Sequence, residues 1–256
     1  MNHIDSNSKQ TICREKEGMF MGDEDLKSRV EELENRLAIL EDVHAIRRLH
    51  HLYGYFLDKC MYDEVVDCYA DDCEFYFFGG VFKGKAGIRR AYCDGFRERF
   101  TGGKNGPVFG FLLDHPMMQD VVDVAPDRKT ANARFRCMMM AGTHYEKDPR
   151  PAMVSRQWWE GALYENAYVR IDGVWRIKML NYRPVWHATH ENGWAYTPPH
   201  FVPNSTTTYP DDPYGPDELT DIKPLLWPDH EVLPFHCEHP VTGKTIITPA
   251  PGLKRE

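Results

Sequence analysis

The chain is 256 residues long and 42% apolar, and its 31 basic and 39 acidic side chains leave a formal net charge of −8. That length suits one large domain or two small ones, the acidic balance argues against the basic stripe of a nucleic-acid binder, and no apolar run approaches the ~20 residues of a membrane span. Seven cysteines without a C-x-x-C pair imply neither a disulfide framework nor a thiolate zinc site, and the first 22 residues have no apolar leader, so a cytoplasmic protein is expected.

Residues 1–22 show no periodicity and are expected to form a frayed tail. Leu26, Val30, Leu33, Leu37 and Leu40 then step by four and three with charges between them. This predicts an extra amphipathic helix over 23–41. The seam is short for an independent coiled coil, so packing on its own domain or on a neighbouring subunit is expected. Val43, Ile46, Leu49, Leu52, Phe56 and Leu57 carry a helical stripe to about Cys60, and 62–70 reads as a third, short helix. The aromatic run 73–78 is strand-like, Gly79-Gly80 turns the chain, and 81–84 returns as an edge strand. A helix follows over 85–100, with Ile88, Ala91, Tyr92 and Phe96 on one side, then a Gly-rich loop. Strands are predicted over 109–124, 129–145, 156–171 and 174–186. Turn sequences at 125–128 and at Asp172-Gly173 make neighbours antiparallel hairpins. Helices before a strand meander is an α+β order. The predicted domain covers 42–190. Twelve of the 18 prolines fall between Pro198 and Pro251, beside aromatics such as Phe201, Tyr209, Trp227 and Phe235. Residues 191–256 are therefore expected to form an irregular arm wrapped on the domain or on a neighbour.

No dinucleotide fingerprint, P-loop, G-x-S-x-G or H-E-x-x-H occurs, so no cofactor is expected. His187 with His190, and the run His236-Cys237-Glu238-His239, carry ligand-type side chains, but spacing alone does not bring two short pairs to one point, and no metal site is expected. Asp58 ends an apolar helical face and shares it with Tyr55. It reads either as a buried acid/base or as a solvated or capping carboxylate.

The run Leu40-Glu41-Asp42, Ile46-Arg47-Arg48-Leu49, Tyr53, Asp58 and Tyr62-Asp63 resembles the opening of the SnoaL-like proteins, a branch of the nuclear transport factor 2-like (scytalone dehydratase-like) superfamily. Tyr69-Ala70-Asp71-Asp72-Cys73-Glu74-Phe75 and Gly84-Lys85-Ala86-Gly87-Ile88 continue the likeness, and 164–177 resembles the family's last hairpin. The resemblance implies a curved antiparallel sheet against helices, forming a cone with a deep pocket. It places Tyr53 and Asp58 there from the helix and His115 from the strand after the long loop. It also turns Ala162, Tyr164, Asn166 and Tyr168 inward. Arg134, Arg136, Met138, Met140 and His144 share one strand face, which points either to the cavity, to bind an oxyanion, or to solvent or an interface. Trp158-Trp159 gives one residue to each face, which suits either a pocket for a bulky aromatic ligand or ordinary core packing, and Tyr76 is a further candidate contact.

These readings give a cofactor-independent lyase acting on a hydroxylated aromatic small molecule. His115, Asp58, Tyr53 and Arg136 are the expected catalytic groups, and Tyr55, Tyr76, Arg134, His144, Trp158, Tyr164 and Asn166 the substrate contacts. The arm and large pocket resemble those of bacterial lignin-dimer lyases, which release formaldehyde from diarylpropane diols. The alternatives are a hydrophobic-ligand or protein-binding module, a dehydratase or isomerase of a polyketide or steroid-like substrate, and a metal-dependent oxygenase or hydrolase. No nucleic-acid or membrane partner is expected. A homodimer or homotrimer is, with the arm helping to close the pocket mouth.

Overall fold

A computed structural model describes residues 22–147, 155–199, 201–221 and 223–253. Apart from Gly22, the expected N-terminal tail lies outside the described residues. Packing divides the chain into two units, 1–38 and 39–256. The first is described as helix from Asp23, opened by Asp23, Glu24 and Asp25, whose charges suit the positive end of a helix dipole. Leu26, Val30, Leu33 and Leu37 are exposed on it. Where two helices were expected, one helix, α1 (Asp23–Asp58), is continuous, because no Gly or Pro interrupts it before Gly54.

In the second unit α1 buries Asp42, Ile46, His50, Tyr53 and Leu57, a stripe of three- and four-residue steps. Asp42 fixes that stripe to the sheet. Its carboxylate accepts from Trp175 Nε1 at 2.9 Å and from Arg128 Nε at 2.5 Å, and Arg170 lies 3.3 Å away. Burial alone would raise the Asp42 pKa, but these donors together hold it below the usual carboxylate range.

Helix α2 (Tyr62–Asp67) is shorter than expected because strand β1 (Tyr69–Phe77) starts early. Phe78 and Gly79, both at positive φ, turn β1 into β2 (Gly80–Lys83). Helix α3 (Gly84–Arg89) runs into a π-helix (Arg90–Thr101) where an α-helix was expected. Strands β3 (Phe111–Asp114) and β4 (Met117–Val124) replace one long predicted strand, split at His115-Pro116 because proline cannot donate to a ladder. The long strands β5 (Thr130–Thr143), β6 (Gln157–Ile171) and β7 (Val174–Thr189) follow. The sheet order is β3-β5-β6-β7-β1-β2-β8, with β4 also on β5 and β8 (Glu218–Leu219) on the far edge. All pairings are antiparallel except β1 with β7. The two end strands do not pair, so this α+β sheet curves without closing.

The arm is irregular, as its prolines require, apart from α4 (Gly193–Tyr196) and β8. It is bound to its own domain: Arg90 pairs with Asp217 at 2.6 Å, Arg183 with Glu231 at 2.8 Å, and Trp227 N–H donates to the Val185 carbonyl. Gly161 sits at a register shift between β6 and β7, where any Cβ would enter the space of the Trp186 indole. Gly161→Ala is expected to cost about 1–3 kcal/mol, the usual penalty of overpacking, measured by urea denaturation.

Candidate active site

Alternation along β5 and β6 sends Met139, Trp158, Glu160 and Tyr164 to the inner face, where they line a cavity of about 770 Å³. Helix α1 supplies Tyr53 and Leu57, and the π-helix supplies Tyr92, Phe96 and Phe100. At the mouth lie Thr197, Pro198, Pro199, Val202, Pro203 and Asn204 of the arm, where Phe201 stacks on Phe78 with ring centres 5.6 Å apart. The volume is that of a small-molecule site, and eleven of its 27 lining residues are Phe, Tyr or Trp.

Two groupings on this cavity each hold a titratable side chain in a hydrogen bond. His115 lines it, and Asp58 stands behind His115 with Oδ1 2.8 Å from Nδ1. Both side chains are less than a tenth exposed. An ionised Asp58 keeps the ring proton on Nδ1, so Nε2 carries the lone pair. Glu160 forms the other grouping and accepts a hydrogen bond from Tyr182 Oη at 2.9 Å. Burial raises the Glu160 pKa, and neither the Tyr182 hydrogen bond nor the neighbouring His115 cancels that effect. β5 alone separates the two groupings: Met138 N–H donates to the Pro116 carbonyl on one side, and Met139 faces Glu160 on the other. Two strand spacings put their backbones about 10 Å apart.

A third group is the phenol set of Tyr53, Tyr69 and Tyr92. The Tyr53 and Tyr92 hydroxyls are 2.8 Å apart, and those of Tyr69 and Tyr92 3.3 Å. Burial raises the pKa of all three, so they stay neutral phenols that donate and accept hydrogen bonds.

His50 is fully buried, with Asn166 Nδ2 3.3 Å from Nδ1 and its ring stacked on Phe135. Burial, with a smaller contribution from His51, lowers its pKa from 6.5 to about 3. The unfolded chain therefore takes a proton that the folded chain refuses, and stability falls as pH drops from about 6.5 towards 3, at up to ~1.4 kcal/mol per pH unit. His50→Leu should flatten this limb in denaturation measured across that range.

Of the expected site residues, the structure brings Tyr53, His115, Trp158 and Tyr164 to the cavity wall, with Asp58 on His115. The others lie elsewhere. Arg136 is exposed. Arg134 pairs with Glu165, stacks on Phe235 and donates to the Leu233 and Pro234 carbonyls. The polar face of β5 thus meets the arm and solvent, and the face of Ala133, Phe135, Cys137, Met139 and Ala141 is the inner one. His144 is exposed beyond the end of β5 beside Tyr145, and Tyr55 is 70% exposed. Tyr76 donates to Glu74 at 2.9 Å, and Asn166 is buried against His50 and the Tyr168 hydroxyl. Glu160, Tyr182 and Tyr92 were missed. Glu160 has the same parity as Ala162 and Tyr164, so extending that inward face by one residue pair would have found it.

His236 faces Asp123 at 3.1 Å and Glu165 at 3.7 Å. Among the described residues no group of three or more His, Cys, Asp or Glu side chains is arranged to hold a metal ion, and no helix is long and apolar enough to cross a membrane.

The model of the SnoaL-like domain matches residues 38–181, from Ala38 within α1 to the middle of β7. The chain belongs to the SnoaL-like family. No curated protein matches it. Among solved structures, a scytalone dehydratase-like protein of Novosphingobium aromaticivorans DSM 12444 is 19% identical, over 68% of this chain and 99% of that one, with a TM-score of 0.47. LinA is 17% identical over 64% and 99%, with a TM-score of 0.49. The LinA-type3 hexachlorocyclohexane dehydrochlorinase of Novosphingobium barchaimii LL02 is 20% identical over 64% and 98%, with a TM-score of 0.47. This SnoaL-like chain is longer than each of these relatives, and about a third of it has no counterpart in them.

Proposed function

We propose that this SnoaL-like protein is a lyase that eliminates water from a phenolic carbinol by acid/base chemistry, with a lignin-type diarylpropane diol as substrate. The supporting observation is the pair of unlike proton carriers across one aromatic cavity: a histidine oriented by a buried carboxylate, and a buried carboxyl held towards its neutral form.

His115 Nε2 takes the proton of a phenol para to the carbinol carbon. Electrons from the phenol oxygen enter the ring as the C–O bond breaks, and neutral Glu160 gives its proton to the departing hydroxyl. Water and a quinone methide result. The ring is the electron sink, so these steps use only groups the chain supplies. In a substrate with a neighbouring CH₂OH, the Glu160 carboxylate then takes that hydroxyl's proton. The C–C bond breaks, formaldehyde leaves, and the electron pair restores the ring as a phenolate. His115 returns its proton to the phenolate oxygen. Stilbene, water and formaldehyde are the products, and both residues regain their starting protonation. The Tyr53–Tyr92 hydroxyl pair supplies neutral donors for a substrate oxygen. Arg136, expected to stabilise the phenolate, lies outside the cavity and has no part in this scheme.

Incubating the protein with a diarylpropane diol, with formaldehyde assayed and stilbene absorbance followed, tests the reading. Equal amounts of both products are expected. Tight binding without turnover, across a panel of phenolic carbinols, would instead establish a binding module.

A further inference from the structure

Helix α1 carries an apolar seam that the cavity and its chemistry do not use. Leu26, Val30, Leu33, Leu37 and Leu40 repeat at four- and three-residue steps and are 48–66% exposed. Taking Leu26, Leu33 and Leu40 as d positions makes Val30 and Leu37 the a positions of a heptad. Leucine at every d with a β-branched residue at one a suits two strands. The next two seam positions are His44 and Arg47, both exposed and polar, so the seam stops after Leu40.

The flanking charges identify the occupant. The g positions are Arg29 and Arg36, and the e positions include Glu34 and Glu41, all exposed. In a parallel pair each g residue meets the e residue five places on in the other helix. Arg29 then meets Glu34 and Arg36 meets Glu41, from both sides, four opposite-charge contacts in all. The remaining e residue, Lys27, meets only Gly22. An antiparallel pair would set g against g and bring arginine to arginine. Arg36 also lies 3.7 Å from Glu32 on its own helix, but both are about two-thirds exposed and solvent screens that pair.

We propose that α1 pairs with α1 of a second copy of this chain as a parallel, in-register, two-stranded coiled coil over residues 26–41. Two heptads are short for an isolated peptide, which must first nucleate a helix. Here the seam belongs to a 36-residue helix whose later turns are held by buried Asp42, Ile46, His50, Tyr53 and Leu57, so nucleation is already met.

The test uses the full chain. Leu26→Cys places a thiol at one end of the seam, where it meets its own copy only in a parallel, in-register pair. Mild oxidation should cross-link the introduced thiols, mapped by peptide mass spectrometry, at least tenfold above Ser28→Cys, which lies off the seam. Adding Arg29→Glu and Arg36→Glu to Leu26→Cys should remove that excess. Mixing this chain with one carrying Leu26→Cys, Glu34→Arg and Glu41→Arg should restore it. Cross-linking no higher than the control, indifference to the charge exchange, or an assembly of three chains by native mass spectrometry would each overturn the proposal.

Discussion

Asp58→Asn is expected to lower kcat by about 10³–10⁴-fold while leaving the fold intact, and His115→Ala to do at least as much. Asparagine keeps the shape of aspartate, but its amide can donate to Nδ1. The imidazole proton then moves to Nε2, the atom that must accept the substrate proton. The effect should fall on kcat rather than KM, because Asp58 does not line the cavity and positions His115 from behind. Steady-state kinetics, with ligand binding followed by quenching of tryptophan fluorescence, separates the two. A binding module would show a modest change in affinity and no turnover to lose.

The second large effect falls on Glu160. Glu160→Gln keeps an acceptor for the Tyr182 hydroxyl but has no proton to give, so turnover should drop by about 10²–10³-fold. The pH dependence has a definite sign. Burial raises the folded pKa, so in the unsubstituted protein the neutral acid persists above the ordinary 4.5, and activity declines as pH rises through the raised value. Stability follows the same proton. The folded chain binds it more tightly than the unfolded chain does, so this contribution is fully present below about 4.5 and is lost as pH rises through the folded pKa. Glu160→Gln removes that loss. The variant should melt higher than the parent at pH 8 and close to it at pH 4, a gain in stability where activity is lost.

The sequence carried much of the fold. Periodicity located α1 and the long strands of the meander. It misplaced the ends of α2 and β1 because Tyr69 and Ala70 suit a helix as well as a strand, and parallel pairing with β7 decides between them only in the folded chain. The resemblance supplied Tyr53, Asp58 and His115, which lie far apart in the sequence, so no spacing rule joins them. The choice of face on β5 went wrong for a physical reason. Alternation separates two faces but does not orient them, and two arginines resemble an anion site until Glu165 and the carbonyls of the arm are seen to hold Arg134. Residue type does not mark Glu160 as buried, since a lone glutamate in a strand usually faces solvent. Only the packed sheet shows it buried beside Tyr182.

The central claim is that a free para-phenol, deprotonated by His115 in this cavity, drives loss of the hydroxyl. It is tested most directly by comparing kcat/KM for a diarylpropane diol and for its para-methyl ether, which has no proton to lose. The account predicts stilbene and formaldehyde in equal amounts from the phenol and none from the ether, although the ether still competes for the site. Equal turnover of the two would contradict it.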